Sequence, residues 1–180
     1  MRDNGVFNLI KKRRSIRAFA KQAVSKHVLK KLVEAGTWAP SGSNVQPWHF
    51  IIVTDAGKID AITAFSPGLQ GAPPALIALC TDRKLAFDKA GLLGRDELCT
   101  MDISMAAQNI MLLATEKGRG TCPIRSFNKN ALGKILGLPE HMSLDLVISI
   151  GYPDESPIPP KRRNFKCVCF LNKYGKSADP

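Results

Sequence analysis

One stretch of this chain constrains its fold more than any other. Between Met101 and Ala114 nearly every position is apolar, with Ile103, Met105, Ala106, Ala107, Ile110, Met111, Leu112 and Leu113 spread around the turns rather than along one stripe. The pattern predicts a helix from Asp96 to Lys117, about 33 Å long at 1.5 Å per residue, ended by Gly118 and Gly120. A helix apolar nearly all round must be buried on nearly all sides. A chain of 180 residues makes one domain, and one such domain hardly encloses a helix of this length. The helix is therefore read as part of a dimer, ahead of the alternative of a central helix in a compact monomer.

The remaining elements are interleaved helices and strands. Residues 5–14 read as a short helix with Val6, Phe7, Leu9 and Ile10 as its stripe, and Ser25 is an N-cap for a helix reaching Thr37, stopped by Pro40. Trp48 to Thr54 reads as a buried strand, Asp55 caps a helix through about Phe65, and Ala75 to Cys80 is a second buried strand. Residues 66–74 form a Gly/Pro loop, and the segment between 66 and 96 is otherwise compact. Asn128 to Leu136 reads as a helix, Leu144 to Ile150 as a third strand, 153–160 as an extended Pro-rich linker, and Cys167 to Leu171 as a short final strand whose alternation puts Cys167 and Cys169 on one face. The class is α/β or α+β.

Charge bounds the partners. Lys and Arg number 26 against 15 Asp and Glu, a net charge of +11. A solvated basic surface accounts for part of this, and anions account for the rest: nucleic acid, acidic lipid or a nucleotide cofactor. Two Tyr and two Trp give little support to a nucleic-acid surface. No stretch is long and apolar enough for a membrane span, and the start Met1-Arg2-Asp3-Asn4 lacks an apolar signal region, so the default expectation is cytoplasmic. No CxxC occurs and no histidine lies at ligand spacing, so no metal site is expected. Cys80 and Cys99 read as small core residues, His27 as solvated, His49 as packed or hydrogen-bonded beside Trp48, and His141 as a turn residue.

Two segments carry the chemistry. Arg13-Arg14-Ser15-Ile16-Arg17 packs three guanidinium groups and a hydroxyl into five residues, and a guanidinium fork suits a phosphate. Ala39-Pro40-Ser41-Gly42-Ser43-Asn44-Val45-Gln46-Pro47-Trp48 offers amide side chains to a planar heterocycle. Together they suggest a flat, phosphorylated cofactor, on which a second basic cluster at 161–166 could converge. Taken singly, Ser15, Ser41 and Ser43 are equally turn and cap residues, and Arg14 divides evenly between solvent and ligand. No side-chain nucleophile or acid–base pair stands out, which leaves the chemistry to the cofactor.

In order along the chain, Arg13-Arg14-Ser15-Ile16-Arg17-Ala18-Phe19, the Ala39-to-Phe50 segment, the alanine-rich 102–114 helix, the Gly118-to-Ile124 turn, Leu136-Gly137-Leu138-Pro139 with Leu146-to-Pro153, and Lys161-Arg162-Arg163 resemble the motifs of the nitroreductase family of FMN-dependent oxidoreductases. The resemblance implies a single α+β domain over 1–180, a three-layer sandwich with a mainly antiparallel sheet flanked by helices. It also implies an intertwined homodimer holding two FMN at its interface, with 153–180 reaching the partner and adding Cys167–Leu171 there as a strand. By the same resemblance, Arg13, Arg14, Ser15 and Arg17 would meet the FMN phosphate and ribityl chain, with Lys161 and Arg163 closing on the phosphate. Pro40, Ser41, Ser43, Asn44 and Gln46 of the other subunit would line the flavin, and backbone groups at Pro123, Ile124 and Arg125 would face its ring.

The implied activity is ping-pong transfer of hydride from NAD(P)H through flavin N5 to a small acceptor such as a nitroaromatic, a quinone or an enal. The family often has a Gly close after the turn facing N5, where this chain has Ile124-Arg125-Ser126. Rival readings are dehalogenation or flavin fragmentation on the same fold, a flavin-binding protein without turnover, and, from another class, a basic nucleic-acid-binding module.

Overall fold

The computed structural model describes residues 5–178; Met1 to Asn4, on which the absence of a signal region was read, lie outside them, as do the last two residues of the 1–180 domain. Six α-helices are described: α1 (Gly5–Lys12), α2 (Lys26–Thr37), α3 (Ala56–Ala64), α4 (Arg83–Leu93), α5 (Cys99–Glu116) and α6 (Lys129–Leu136). Four strands alternate with them: β1 (Trp48–Val53), β2 (Ala75–Asp82), β3 (Gly120–Ile124) and β4 (Met142–Gly151). The strands form one sheet in the order β1-β2-β4-β3, every pairing antiparallel.

Side-chain alternation along β2 builds the layers. Ala75, Ile77 and Leu79 join Leu29 and Leu32 of α2 and Ile103, Ala106, Ala107 and Ile110 of α5 in one core. Leu76, Ala78 and Cys80 point the other way, to Ile59 and Ile62 of α3 and Leu132 of α6. Helices thus cover both faces of an antiparallel sheet, and the architecture is the α+β three-layer sandwich the sequence implied. A strand buried on both faces must read as a continuous apolar run, which is what Ala-Leu-Ile-Ala-Leu-Cys is.

Caps fix the helix starts. Ser25 accepts from the Val28 N–H, Asp55 from Lys58 and Asn128 from Ala131, each satisfying a backbone donor that a helix N-terminus leaves open.

Several expectations are corrected. The compact 66–96 segment contains α4, capped by Asp82. The long helix is α5, preceded by a π-helical turn over Gly94–Leu98. The Gly118-to-Ile124 stretch begins in a turn at Gly118 and continues as an edge strand from Gly120, where Pro123 removes no ladder bond from a neighbour that needs it. Residues 167–171 form no strand within this chain: Phe165–Cys167 is a 3₁₀ turn and Phe170 makes a single bridge to Ser177. His49 is exposed rather than packed. Among the described residues, no helix is long and apolar enough to cross a membrane.

Cys80, Cys99 and Cys122 are buried, whereas Cys167 is exposed and Cys169 partly so. Burial, and secondarily Asp145, pushes the Cys80 thiol up to about 12, so little thiolate forms at neutral pH. Titration of the native protein with a thiol reagent should therefore modify two of the five cysteines quickly, and peptide mapping should find them at 167 and 169. Rapid labelling of Cys80 would contradict this packing.

Candidate functional site

The arginine segment lies along the outer edge of β3. Ile16 donates its backbone N–H to Thr121 at 2.9 Å, and Ser15 bridges Thr121 in parallel. Further on, Phe19 bridges Pro153, and the Glu155 carboxylate accepts the backbone N–H groups of Arg17 and Ala18, the latter at 3.0 Å. This ties the 153–160 linker back over the segment. Arg13, Arg14, Ser15 and Arg17 then line a cavity of about 350 Å³ with Pro157, Ile158, Pro160 and Arg162.

The cations in this cavity are not equivalent. Burial first, then Arg14 and Arg162, holds the Arg13 guanidinium below its ordinary pKa. Its Nη1 is buried and has no hydrogen-bond partner among the described residues. Buried guanidinium donors are normally satisfied, so a buried, unpartnered donor among like charges fits an anion such as a phosphate. Arg14 instead turns Nη1 back to the carbonyls of Lys11 and Arg13, the latter at 2.7 Å, closing the end of α1. The two basic clusters do converge, but through Arg162. Lys161 is exposed, and Arg163 donates to the Cys167 carbonyl at 3.4 Å.

The 66–74 loop packs against the same segment. Gly71 has φ +76°, and a Cβ there would sit 1.6 Å from the Arg17 carbonyl oxygen. Only glycine permits both the conformation and the approach. Three residues earlier, the Gly68 N–H reaches the Ser126 carbonyl at 3.5 Å. The loop therefore spans from Arg17 to the end of β3, where Pro123 and Arg125 are exposed and Ile124 is buried. The Arg125 guanidinium lies over the Phe127 ring at 5.4 Å.

The second segment lies elsewhere. Pro40, Ser43, Asn44 and Gln46 are exposed and Ser41 is half-buried. Ser43, Asn44 and Gln46 adopt φ of 50°, 55° and 53°, the left-handed region that costs a non-glycine residue about 1 kcal/mol. Bonds inside the loop support this shape: Gln46 N–H to Ser41 Oγ at 3.0 Å and Gln46 Nε2 to Asn44 Oδ1 at 2.9 Å. One bond leaves it, from the Gly42 N–H to Asp102 Oδ1 on α5 at 3.0 Å.

Behind Asp102, a polar network holds the start of α5. β4 contributes an extra residue, Asp145, where the register shifts between Leu79 and Cys80. Asp145 is buried and accepts from Thr81 Oγ1 at 2.6 Å, Ser143 Oγ at 3.0 Å and Arg83 Nη2 at 2.7 Å. Arg83 also donates to the Arg95 carbonyl and to Cys99 Sγ.

The two segments do not meet within one chain. Trp48, just after the loop, registers through Thr81 to Ser143 on β4, whereas Ser15 registers through Thr121 to Ile150. They are four strand spacings apart across the sheet and seven residues apart along it, about 20 Å in each direction. Helix α5 gives the same distance. Its Asp102 holds the loop, while Thr115 lines a cavity with Arg14 and Ile16, 13 residues and about 20 Å further on. Arg162, Glu155, Asp102 and Gly71 were not singled out from sequence. Two of them had a visible signal: Asp102 as an acid inside an otherwise apolar helix, and Arg162 as a member of the basic cluster at 161–166.

The nitroreductase family model matches residues 10–76 and 63–152. A protein of Archaeoglobus fulgidus provisionally named NADH dehydrogenase/NAD(P)H nitroreductase is 33% identical over 154 residues, 82% of this chain and 84% of the relative. The NADPH-flavin oxidoreductase of Vibrio harveyi is 25% identical over 185 residues, 95% of this chain and 75% of the relative. The solved structure of nitroreductase A from Vibrio parahaemolyticus superposes with a TM-score of 0.85 at 26% identity, covering 95% of this chain and 77% of that one. The chain belongs to the nitroreductase family. It is an oxidoreductase with the fold of that family.

Burial raises the Asp102 carboxyl above its ordinary pKa, a shift that the Gly42 N–H only partly offsets. The folded state then holds this proton more tightly than the unfolded one, so stability is lost as pH rises from the unfolded value of about 3.9 through the folded one. Asp102→Asn removes that loss. The stability of the variant relative to the parent, measured by urea unfolding, should rise from about pH 3.5 and level off above the folded pKa. A relative stability that stays flat or falls over this range would contradict the assignment.

Proposed function

We propose that the protein is an FMN-dependent NAD(P)H oxidoreductase acting on a small electron acceptor from a site shared by two chains. The observation that carries this reading is the half-buried Arg13, whose Nη1 is buried and unpartnered and whose guanidinium is crowded by Arg14 and Arg162. A phosphate dianion would satisfy the donor and relieve the repulsion together. Arg13, Arg17 and Arg162 would hold it, with the Ser15 hydroxyl beside them. The flavin oxidoreductase of Vibrio harveyi among the relatives supports a flavin as the group that carries this phosphate.

When bound, the flavin supplies the two-electron relay between NAD(P)H and the acceptor; the protein supplies placement. Loop 66–74 and the exposed end of β3 at Pro123–Arg125 would form one wall. Loop 40–46, with its amide side chains, would form another. Because it lies about 20 Å away along α5, that wall would come from a partner. The exposed surface supports such a partner. Met101 and Met105 of α5 are 55% and 37% exposed, and Val6, Phe7 and Ile10 of α1 are 68%, 57% and 46% exposed. Exposed apolar side chains on two helices that pack against each other support an interface on that face. Two copies of α5 packed antiparallel about a twofold axis would bring each chain's loop 40–46 to the other's arginine segment. Acceptor protonation would come from water in the open cavity.

The phosphate claim has a direct test. Purified protein should be yellow and bind FMN more tightly than riboflavin. Arg13→Ala should weaken FMN about 10- to 100-fold, as loss of a charged hydrogen bond does, while leaving riboflavin within about twofold. A colourless preparation that gains no thermal protection from added FMN would overturn the reading. NAD(P)H oxidation with menadione or a nitroaromatic then separates an enzyme from a carrier.

The interface has a separate test. Met101→Glu with Met105→Glu should convert a dimer to a monomer in sedimentation and abolish FMN binding together. A monomeric parent that binds FMN would contradict the shared site.

A further inference from the structure

We infer that Asp102 is a positioning residue: its buried carboxylate, bonded to the Gly42 N–H, fixes the conformation in which loop 41–46 presents Ser41, Asn44 and Gln46 to the cofactor. The functional half of this inference rests on the flavin reading above; the anchoring half does not.

Three observations carry it. Loop 41–46 holds three non-glycine residues in the left-handed region, a shape that persists only where the surroundings impose it. The bonds within the loop shape it but do not locate it. Among the hydrogen bonds of residues 41–46, the one that reaches outside them is Gly42 N–H to Asp102 Oδ1 at 3.0 Å. The second observation is steric. A Cβ on residue 42 would sit 2.7 Å from Leu98 Cδ1 and 3.2 Å from Leu98 Cβ, so a side chain there would have to displace Leu98 for the backbone to keep its donating distance. The third is the acid itself. Asp102 is 3% exposed and lies on α5 just after the π-helical turn. Its neighbours in the buried stripe, Ile103, Ala106 and Ile110, are apolar. A buried carboxylate among apolar neighbours costs stability, and the one contact it makes in return is to this loop.

Asp102 does not line the arginine cavity, and in the shared site it would act through the loop alone. Its effect should therefore fall on the fit of the flavin ring and leave the phosphate contact intact.

The test compares Asp102→Ala, Asp102→Asn and Gly42→Ala with the parent. Amide exchange over residues 41–46 is measured without flavin, and FMN and riboflavin affinities are measured by fluorescence quenching. Asp102→Ala and Gly42→Ala should speed exchange of the loop by about tenfold or more and weaken FMN and riboflavin alike by about tenfold. That equal loss separates them from Arg13→Ala, which should affect FMN alone. Asp102→Asn keeps an acceptor oxygen and should restore both readouts to within about threefold. Unchanged exchange in Asp102→Ala, or equal losses in Ala and Asn, would overturn the anchor. Faster exchange with unchanged affinity for both flavins would overturn its functional role. If the parent binds no flavin, the flavin reading falls together with that role, and the exchange comparison alone still decides the anchor. Should Asp102→Ala fail to fold, Gly42→Ala breaks the same bond from its surface end.

Discussion

The antiparallel pairing of β2 with β4 decides where everything else in this molecule can be. Both strands are buried on both faces, so their register is strongly specified, because a slip by one residue would exchange the two cores. β1 and β3 must then take the two edges. The chain enters β1 from loop 40–46, and β3 carries the arginine segment on its outer side. The pairing thus sends the two polar segments to opposite corners of the sheet, and α5, packed across it, spans the distance between them.

Each corner holds a feature that a stable fold does not need. At one, four arginines gather around a cavity, with Arg13 desolvated and short of a partner. At the other, a loop with three residues in the left-handed region is anchored on a buried acid. Strain and unsatisfied charge persist where the rest of the structure holds them in place. The sheet and α5 provide that support at both ends. One ligand held between one chain's arginines and another chain's loop would give both features a single role, and the apolar faces of α1 and α5 would give the second chain a place to pack.

Much of the fold was legible because its elements obey simple periodicities. β2 is a continuous apolar run, and Ser25 and Asp55 cap the helices expected of them. What escaped was governed by position in the sheet or by long-range contact. β3 contains Gly120 and Pro123, poor strand residues that an edge tolerates. α4 has one buried side chain, Ala86, and leaves Phe87, Leu92 and Leu93 exposed, so no apolar stripe announces it. Residues 167–171 alternate like a strand but find no partner strand among the described residues. In the site, the arginine segment and loop 40–46 were recognisable from residue types alone. The choice of Arg162 over its neighbours depends on the path of the Pro-rich linker across Glu155 and Phe19. The role of Asp102 depends on a contact 60 residues away in sequence. Neither is encoded in local pattern.

The shared site is tested most directly by complementation between differently tagged chains. One chain carries Arg13→Ala and Arg162→Ala, the other Asn44→Leu and Gln46→Leu, and each alone binds no FMN. When they are co-expressed and the mixed dimer is purified through both tags, a site built from two chains leaves one of its two copies intact, so about one FMN should be recovered per heterodimer. If each site were contained in a single chain, both copies would stay defective, and a heterodimer without FMN would contradict the account.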